Sequence, residues 1–397
     1  MNLIKNILEI INSEIKELIK AEILAPDINL NQINLETTKN TDLGDFSSNA
    51  ALVLSKQARM NPRELGEIIV TRLGKRAEFK SVEVAGPGFI NIRLMFHTWT
   101  NLIPTILKSG IDYGSANLGN GKAVNVEYVS ANPTGPMHIG HARGAVFGDA
   151  LSNLLEKVGY SVTREYYIND AGAQVDILAR STHLRYLEAL GENIGEMPEG
   201  LYPGNYLKQV GEEIKNRDGT KWKFRSEKMW LSEFRKFSVT KMMSLIRQDL
   251  KTLGVTHDVF ISEAELVNAG MNDEVLRELK EFDLAYTGTL DPPKGKLPDD
   301  WEQRPQLLFR SSQFGDDLDR ALKKSDGDWT YFASDISYHR DKFRRGFQRM
   351  IDVWGADHKG YIKRMQSAVK AITRGEGNLT VRLCNLVNLL EDGKPSK

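Results

Sequence analysis

Cysteine is nearly absent, with Cys384 alone among 397 residues. A lone thiol forms no intrachain disulfide, which excludes a stapled secreted scaffold and points to a reducing compartment. In its apolar-periodic stretch it reads as a small buried hydrophobe rather than a catalytic thiol. Net charge is missing too: 53 Lys and Arg balance 53 Asp and Glu, so no global basic surplus announces a nucleic-acid binder and any polyanion must meet a local patch. Long apolar runs are missing. None approaches the roughly 18 residues of a membrane span, and Lys5, Glu9, Glu14, Lys16 and Glu17 break up the N-terminal apolar pattern, which reads as a helix and not as a signal peptide. There is no fixed-period repeat. What remains is a hydrophobic share of 41% and a charged share of 27%, ordinary for a globular chain and long enough, at roughly 150 residues per domain, for two or three domains.

Apolar residues from Leu3 to Ile19 recur at helical spacing and predict a first helix ending before Pro26. A second helix starts at Ala50, and a third at Asn61, where Asn61, Pro62 and Glu64 resemble a capping box. Val82 to Leu94 reads as strand, Gly-Pro-Gly turn, strand. Residues 1–112 therefore form a small α+β unit, followed by a Gly-rich linker up to Lys122. Beyond it, a strand from Ala123 to Ala131, a Pro/Gly loop, a helix to about Val158 and a strand from Tyr160 to Ile168 make a βαβ unit, hence a parallel sheet with ligands at the carboxyl ends of its strands. About 191–305 is less regular, with a Pro/Gly segment from Asp291 to Pro298, and reads as an insertion between two halves of the sheet. The second half resumes with strands at Thr330 to Ser334 and Met350 to Trp354 and a helix from Tyr361 to Arg374.

The most informative segment lies between strand and helix: Ala131, Asn132, Pro133, Thr134, Gly135, Pro136, Met137, His138, Ile139, Gly140, His141. His138 and His141, three apart in the first helical turn, face the same way. Gly140 lacks a Cβ and admits something planar near the backbone, and the amides and dipole of a helix start favour an anion. Imidazole donors can follow charge developing on a transferring phosphate. A His-x-x-His pair also suits a metal, but no nearby carboxylate or Cys completes such a site.

The string His138-Ile139-Gly140-His141 resembles the HIGH motif of class I aminoacyl-tRNA synthetases. Three further blocks in the same order, Tyr166 to Asp170, Gly327 to Asp335 and Trp354 to His358, are similar to arginyl-tRNA synthetases, and the resemblance runs the length of the chain. It implies an α/β fold with a class I Rossmann-like parallel sheet carrying an inserted subdomain, preceded by a small α+β tRNA-contacting domain (1–112; catalytic part 113–397). It also implies a cytoplasmic ligase that activates arginine with ATP and charges tRNA(Arg), with arginine, ATP and that tRNA as partners and no membrane. Mg²⁺ is expected on the phosphates rather than in a dedicated protein site. The roles carried over are catalysis by His138 and His141, ATP binding by Pro133, Gly135, His138, Gly140, His141, Asp357 and His358, and arginine binding by Glu127, Asn132, Tyr331 and Asp335. Two carboxylates, Glu127 and Asp335, suit a planar, permanently charged five-donor guanidinium.

From Arg340 to Arg374 ten basic residues face three acidic ones, densest at Arg340, Lys342, Arg344, Arg345 and Arg349. Beside a site for a tRNA acceptor end, that run reads as a phosphate track. The sequence reaches Glu391 to Lys397, where the family continues into a KMSK-type loop and an anticodon-binding domain. Only Lys397 would belong to that loop, so the expectation is an incomplete catalytic portion, with a non-catalytic RNA- or nucleotide-binding paralogue as the alternative. Intact His138, His141, Glu127 and Asp335 favour the former.

Overall fold

The computed structural model describes residues 3–290, 304–385, 387, 389–391 and 394–396, in two compact units, Met1–Ala116 and Asn117–Lys397. The expected Pro/Gly segment from Asp291 to Pro298 and the motif candidate Lys397 lie outside the described residues.

In the first unit, helix α1 (Leu3–Lys20) buries Ile7, Ile11, Ile15 and Leu18, one stripe at helical spacing. Its core is completed by α2 (Ala50–Ala58), α3 (Pro62–Leu73) and an antiparallel sheet of β1 (Leu35–Thr37), β2 (Phe46–Ser48), β3 (Phe79–Ala85) and β4 (Phe89–Leu94), in the order β1-β2-β4-β3. Asn61 starts α3 as expected, its side chain accepting from the Arg63 amide at 2.9 Å. Glu14 is buried on α1, yet Arg72 of α3 and Arg76 just beyond it both donate to it and hold its carboxyl below the usual range against the cost of burial. Two short helices, α4 (Phe96–Thr100) and α5 (Leu102–Ser109), end the unit.

The second unit is built on a parallel five-stranded sheet. Its strands are β5 (Ala123–Glu127), β6 (Ser161–Ile168), β7 (Val259–Ser262), β11 (Arg349–Gly355) and β12 (Asn378–Cys384), in the order β12-β11-β5-β6-β7. Strand order reverses between β5 and β11, so the crevice at their carboxyl ends is the ligand position of such sheets. The β5–β6 crossover is α6 (Ile139–Lys157), laid so close on the sheet that a Cβ at Gly148 would stand 2.2 Å from the ring of buried Tyr128. Helices α7 (Ala173–Ala189), α8 (Tyr206–Asp218) and α9 (Glu227–Thr252) share a separate aromatic core around Tyr186, Trp222, Trp230 and Phe234. After β7 come α10 (Glu263–Asn268) and α11 (Met271–Glu281), then a small antiparallel sheet of β8 (Ala285–Gly288), β9 (Gln306–Phe309) and β10 (Arg320–Ala321). Helices α12 (Tyr331–Arg344) and α13 (Ile362–Ile372) flank β11 in sequence, and β13 (Leu389–Glu391) pairs with β14 (Lys394–Ser396).

Three expectations are corrected. The stretch 191–305 is not simply an insertion: β7 within it is a full member of the parallel sheet, and a boundary at 305 would cut β8 from its partner β9. The strand expected at Thr330 to Ser334 is the start of α12, where the Thr330 side chain caps the helix by accepting from the Ala333 amide. Its residues are apolar because the helix buries Phe332 and Ala333, a period that four residues do not separate from a strand. The first sheet strand ends at Glu127, four residues earlier than expected, and that early end shapes the site.

Candidate active site

Past Glu127 the chain turns sharply, with Val129 and Ser130 both at positive φ, 69° and 39°. For a β-branched valine this is a strained backbone, persisting because neighbouring groups over-determine it. Ser130 is the staple: its hydroxyl donates to Glu127 Oε1 at 2.8 Å and accepts from the Tyr167 amide at 3.1 Å, and its carbonyl accepts from Asn169 at 3.1 Å. Tyr166 adds a bond to the Ala131 carbonyl at 2.9 Å. The turn opens a crevice whose floor is the β5–β11 switch point.

A cavity of about 440 Å³ fills this crevice. Glu127, Asn132, Tyr331, Asp335 and His358 all line it, so five residues named from the sequence converge there from β5, its following loop, α12 and the turn after β11. Asn132 donates to Gln174 Oε1 at 2.7 Å, and Tyr361 donates to Asp335 Oδ2 at 2.6 Å. The lining also contains Glu263, Tyr167, Tyr338, His339 and Asp352, which sequence reasoning missed. A Ser-Glu pair at a strand-to-helix junction marks Glu263, since Ser262 caps α10 by accepting from the Glu265 amide. His339 and Asp352 carry no comparable local signal.

The cavity is strongly acidic. Burial pushes the Asp335 carboxyl up to about 6 and that of Glu263, helped by the charge of Asp335, up to about 7. Glu127 is raised by burial as well, although Lys342 opposes the rise. Burial works the same way on Asp352, but Lys342 and His339 outweigh it and hold that carboxyl low. Lys342 is itself fully buried, its Nζ 2.6 Å from Glu127 Oε2 and 3.0 Å from Asp352 Oδ1, while His339 Nε2 meets Asp352 Oδ2 at 2.9 Å. Glu127, His339 and Asp352 have ligand atoms near enough to hold a metal ion, but the lysine ammonium already bridges the two carboxylates.

His138 and His141 do not line this cavity. They cap α6: His138 Nδ1 accepts from the amides of Gly140 (3.1 Å) and His141 (3.4 Å), and His141 Nδ1 accepts from the His138 amide at 3.5 Å. The rings stack 3.6 Å apart. With Nδ1 accepting, a neutral ring carries its proton on Nε2, so each ring offers an outward donor. Burial and the neighbouring His138 lower His141 to about 4, which keeps it neutral at pH 7. Gly140 admits the imidazole of His138 itself, since a Cβ there would meet that ring at 3.0 Å. Pro133 is buried, and Gly135 lies under Tyr206, whose hydroxyl donates to the Thr134 carbonyl at 2.8 Å. Asp357 pairs with His358 at 3.3 Å but does not line the cavity.

Residues 5–94 match the family described as arginyl tRNA synthetase N terminal domain, and residues 102–395 match the catalytic domain of class I tRNA synthetases of the arginine type. The chain belongs to the arginyl-tRNA synthetase family. It is 54% identical to the arginine–tRNA ligase of Parvibaculum lavamentivorans over 98% of its length, spanning 66% of that protein. With the Ruegeria enzyme of the same name the identity is 50% over the whole chain and 68% of the relative. A structure described as a putative arginyl-tRNA synthetase from Campylobacter jejuni superposes with a TM-score of 0.64 at 37% identity, covering 75% of this chain and 62% of that one. The Thermus thermophilus arginyl-tRNA synthetase, with a TM-score of 0.62 at 17% identity over 97% of this chain and 66% of its own, shares the fold.

In this synthetase-family chain the densest part of the expected phosphate track is divided: Arg340 and Lys342 turn inward, while Arg344, Arg345 and Arg349 stay exposed but are engaged by neighbouring side chains. Arg340 and Lys342 are buried; Arg340 and Arg344 pair with Glu274 and Glu278 of α11, and Arg345 pairs with Asp341 and, bidentately, with buried Glu165. Arg349 donates to the Tyr160 hydroxyl at 2.8 Å. These cations tie α12 to α11 and to the sheet. The run looked like a surface in one dimension because its acidic partners come from residues far away in sequence. Among the described residues no helix is long and apolar enough to cross a membrane.

Proposed function

We propose that this chain supplies the arginine- and ATP-binding parts of an arginine–tRNA ligase; it spans about two thirds of the length of the curated relatives it matches. The observation that carries the proposal is the acidic cavity at the switch point, lined by Asp335 and Glu263, whose carboxyls burial raises to about 6 and 7 against the opposing pull of His339 and Tyr361 on Asp335. Two carboxylates facing one another fit a guanidinium fork, with Tyr331 beside it. This moves the second bracket from Glu127 to Glu263. Glu127 is already tied to Lys342, and its position by the Ser130 turn suits the amino acid's ammonium, with Asn132 and Gln174 beside its carboxylate.

ATP, entering as its Mg²⁺ complex, lies along the start of α6. The outward Nε2–H donors of His138 and His141 and the helix amides would meet its phosphates, with Pro133, Gly135 and Gly140 shaping the loop and Asp357 and His358 toward the adenosine. The arginine carboxylate attacks the α-phosphate, the bond to the β-phosphate breaks and pyrophosphate leaves with its electron pair. The terminal ribose hydroxyl of the tRNA then attacks the activated carbonyl, losing its proton as AMP departs. Neither step needs a protein nucleophile; positioning and charge stabilisation suffice. The first unit, residues 1–112, would contact the tRNA body by shape and apolar contacts, since its charges balance. The same reading puts the protein in the cytoplasm with its substrates.

Formation of arginyl-tRNA from arginine, ATP and tRNA(Arg) tests the overall reaction. Calorimetric titration of the chain with arginine tests the pocket. Asp335→Asn is expected to weaken arginine about 10- to 100-fold, the worth of a hydrogen bond to a charged group, while ATP affinity stays unchanged. A loss confined to ATP would refute the assignment.

A further inference from the structure

Helix α12 runs from the mouth of the cavity to its floor, and Tyr331, Asp335, Tyr338 and Lys342 repeat along one of its faces at three- and four-residue spacing. The last of them is a lysine with no exposed surface, packed under the Tyr338 ring, its Nζ 4.4 Å from the ring centre. An ammonium so buried is costly unless it is paired. Its two partners, Glu127 and Asp352, both line the cavity. The mechanism above leaves this lysine without a task.

We infer that Lys342 is a positioning residue, a built-in counter-ion that keeps Glu127 ionised and aimed at the ammonium group of the bound amino acid. The inference rests on reading the cavity as an amino-acid site. In the pocket, one lysine ammonium bridges two carboxylates, so Glu127 keeps negative potential toward the cavity instead of taking a proton. Ser130 fixes the other oxygen and with it the direction of the group. The charged and titratable groups facing Glu127 are Lys342, His339, Tyr338 and Asp335 from α12, Asp352 from β11 and Tyr167 from β6. Of these, Lys342 and a protonated His339 favour its anionic form, and Lys342 alone touches it.

Arginine and ATP affinities of the full chain, measured by calorimetry from pH 5 to 9, test the role. In Lys342→Met the fall of arginine affinity on acidification should move up by about one pH unit or more, with about tenfold weaker binding on the acid limb, where Glu127 is mostly protonated and one pH unit is a factor of ten in its ionised fraction. ATP affinity should not follow, and Lys342→Arg should restore most of the loss. An unshifted pH profile, or equal losses for arginine and ATP, overturns the inference. If Lys342→Met does not fold, Asp352→Asn tests the same coupling from the other side: it keeps the lysine and removes the competing carboxylate, so the acid limb must move to lower pH, and an unmoved limb or an upward shift overturns it. Should the unaltered chain bind no arginine at any pH, the amino-acid reading fails by itself. Lys342 is then judged by the ¹³C carboxyl titration of Glu127, assigned with Glu127→Gln. Its midpoint must rise in Lys342→Met, or fall in Asp352→Asn, and a midpoint that stays put refutes the role.

Discussion

At the scale of single residues, the site is governed by protons as much as by contacts. Burial raises Asp335 to about 6 and Glu263 to about 7, above the roughly 4 of a free carboxyl, so with no cation between them these two groups hold protons across that interval. In this window the native state binds more protons than the unfolded chain, and the contribution of these groups to stability grows as pH falls from about 7 toward 4. A bound guanidinium reverses the balance, because an adjacent cation favours the ionised carboxylates. Arginine binding near pH 6.5 is therefore expected to release protons, visible as a dependence of the calorimetric enthalpy on the ionisation enthalpy of the buffer. Buffer-independent enthalpies would show that the cation does not sit between these groups. The two histidines were legible in the sequence because their spacing alone puts them on one helical turn. Glu263 carried only the local mark of a capping Ser262 before it, since what makes it special is its burial beside Asp335, a residue 72 positions away.

At the scale of elements, the loop between β5 and α6 is held from outside itself. Ser130 and Ala131 are pinned by β6, the Met137 amide donates to Asp249 of α9 at 3.3 Å, and Tyr206 at the start of α8 bonds the Thr134 carbonyl and covers Gly135. Tyr206→Phe removes one neutral hydrogen bond, worth about 0.5–1.5 kcal/mol. The expected outcome is a several-fold loss of ATP affinity with arginine affinity retained, read by parallel titrations; an equal change in both would place Tyr206 outside the loop's function. Helix α12 teaches a different lesson. Its positions Tyr331 and Asp335 were singled out and line the cavity, but its basic residues were read as a charge run and not as a face. Seen at three- and four-residue spacing, Lys342 belongs with Tyr331 and Asp335, whereas Arg340 and Arg344 belong with α11.

At the scale of the whole molecule, the first unit has a core of its own, with α1, α2 and α3 packed on their antiparallel sheet and Glu14 neutralised from within the unit. We propose that residues 1–116 form an independently folding domain. The isolated fragment should melt cooperatively by circular dichroism, and a gradual, non-cooperative loss of signal would contradict this. For the second unit, the sequence alone was enough to determine the first βαβ unit, the histidine pair and the four blocks of family resemblance, because each depends on residues within about one turn or one crossover of each other. Only the tertiary structure decided that β7 joins the parallel sheet, that Glu263 faces Asp335, and that Lys342 lies beneath Glu127 rather than on a track for RNA. Strand partners, burial and ion pairs are set by groups brought together across long separations in the chain, and local periodicity carries no information about which distant residue will arrive to neutralise a charge.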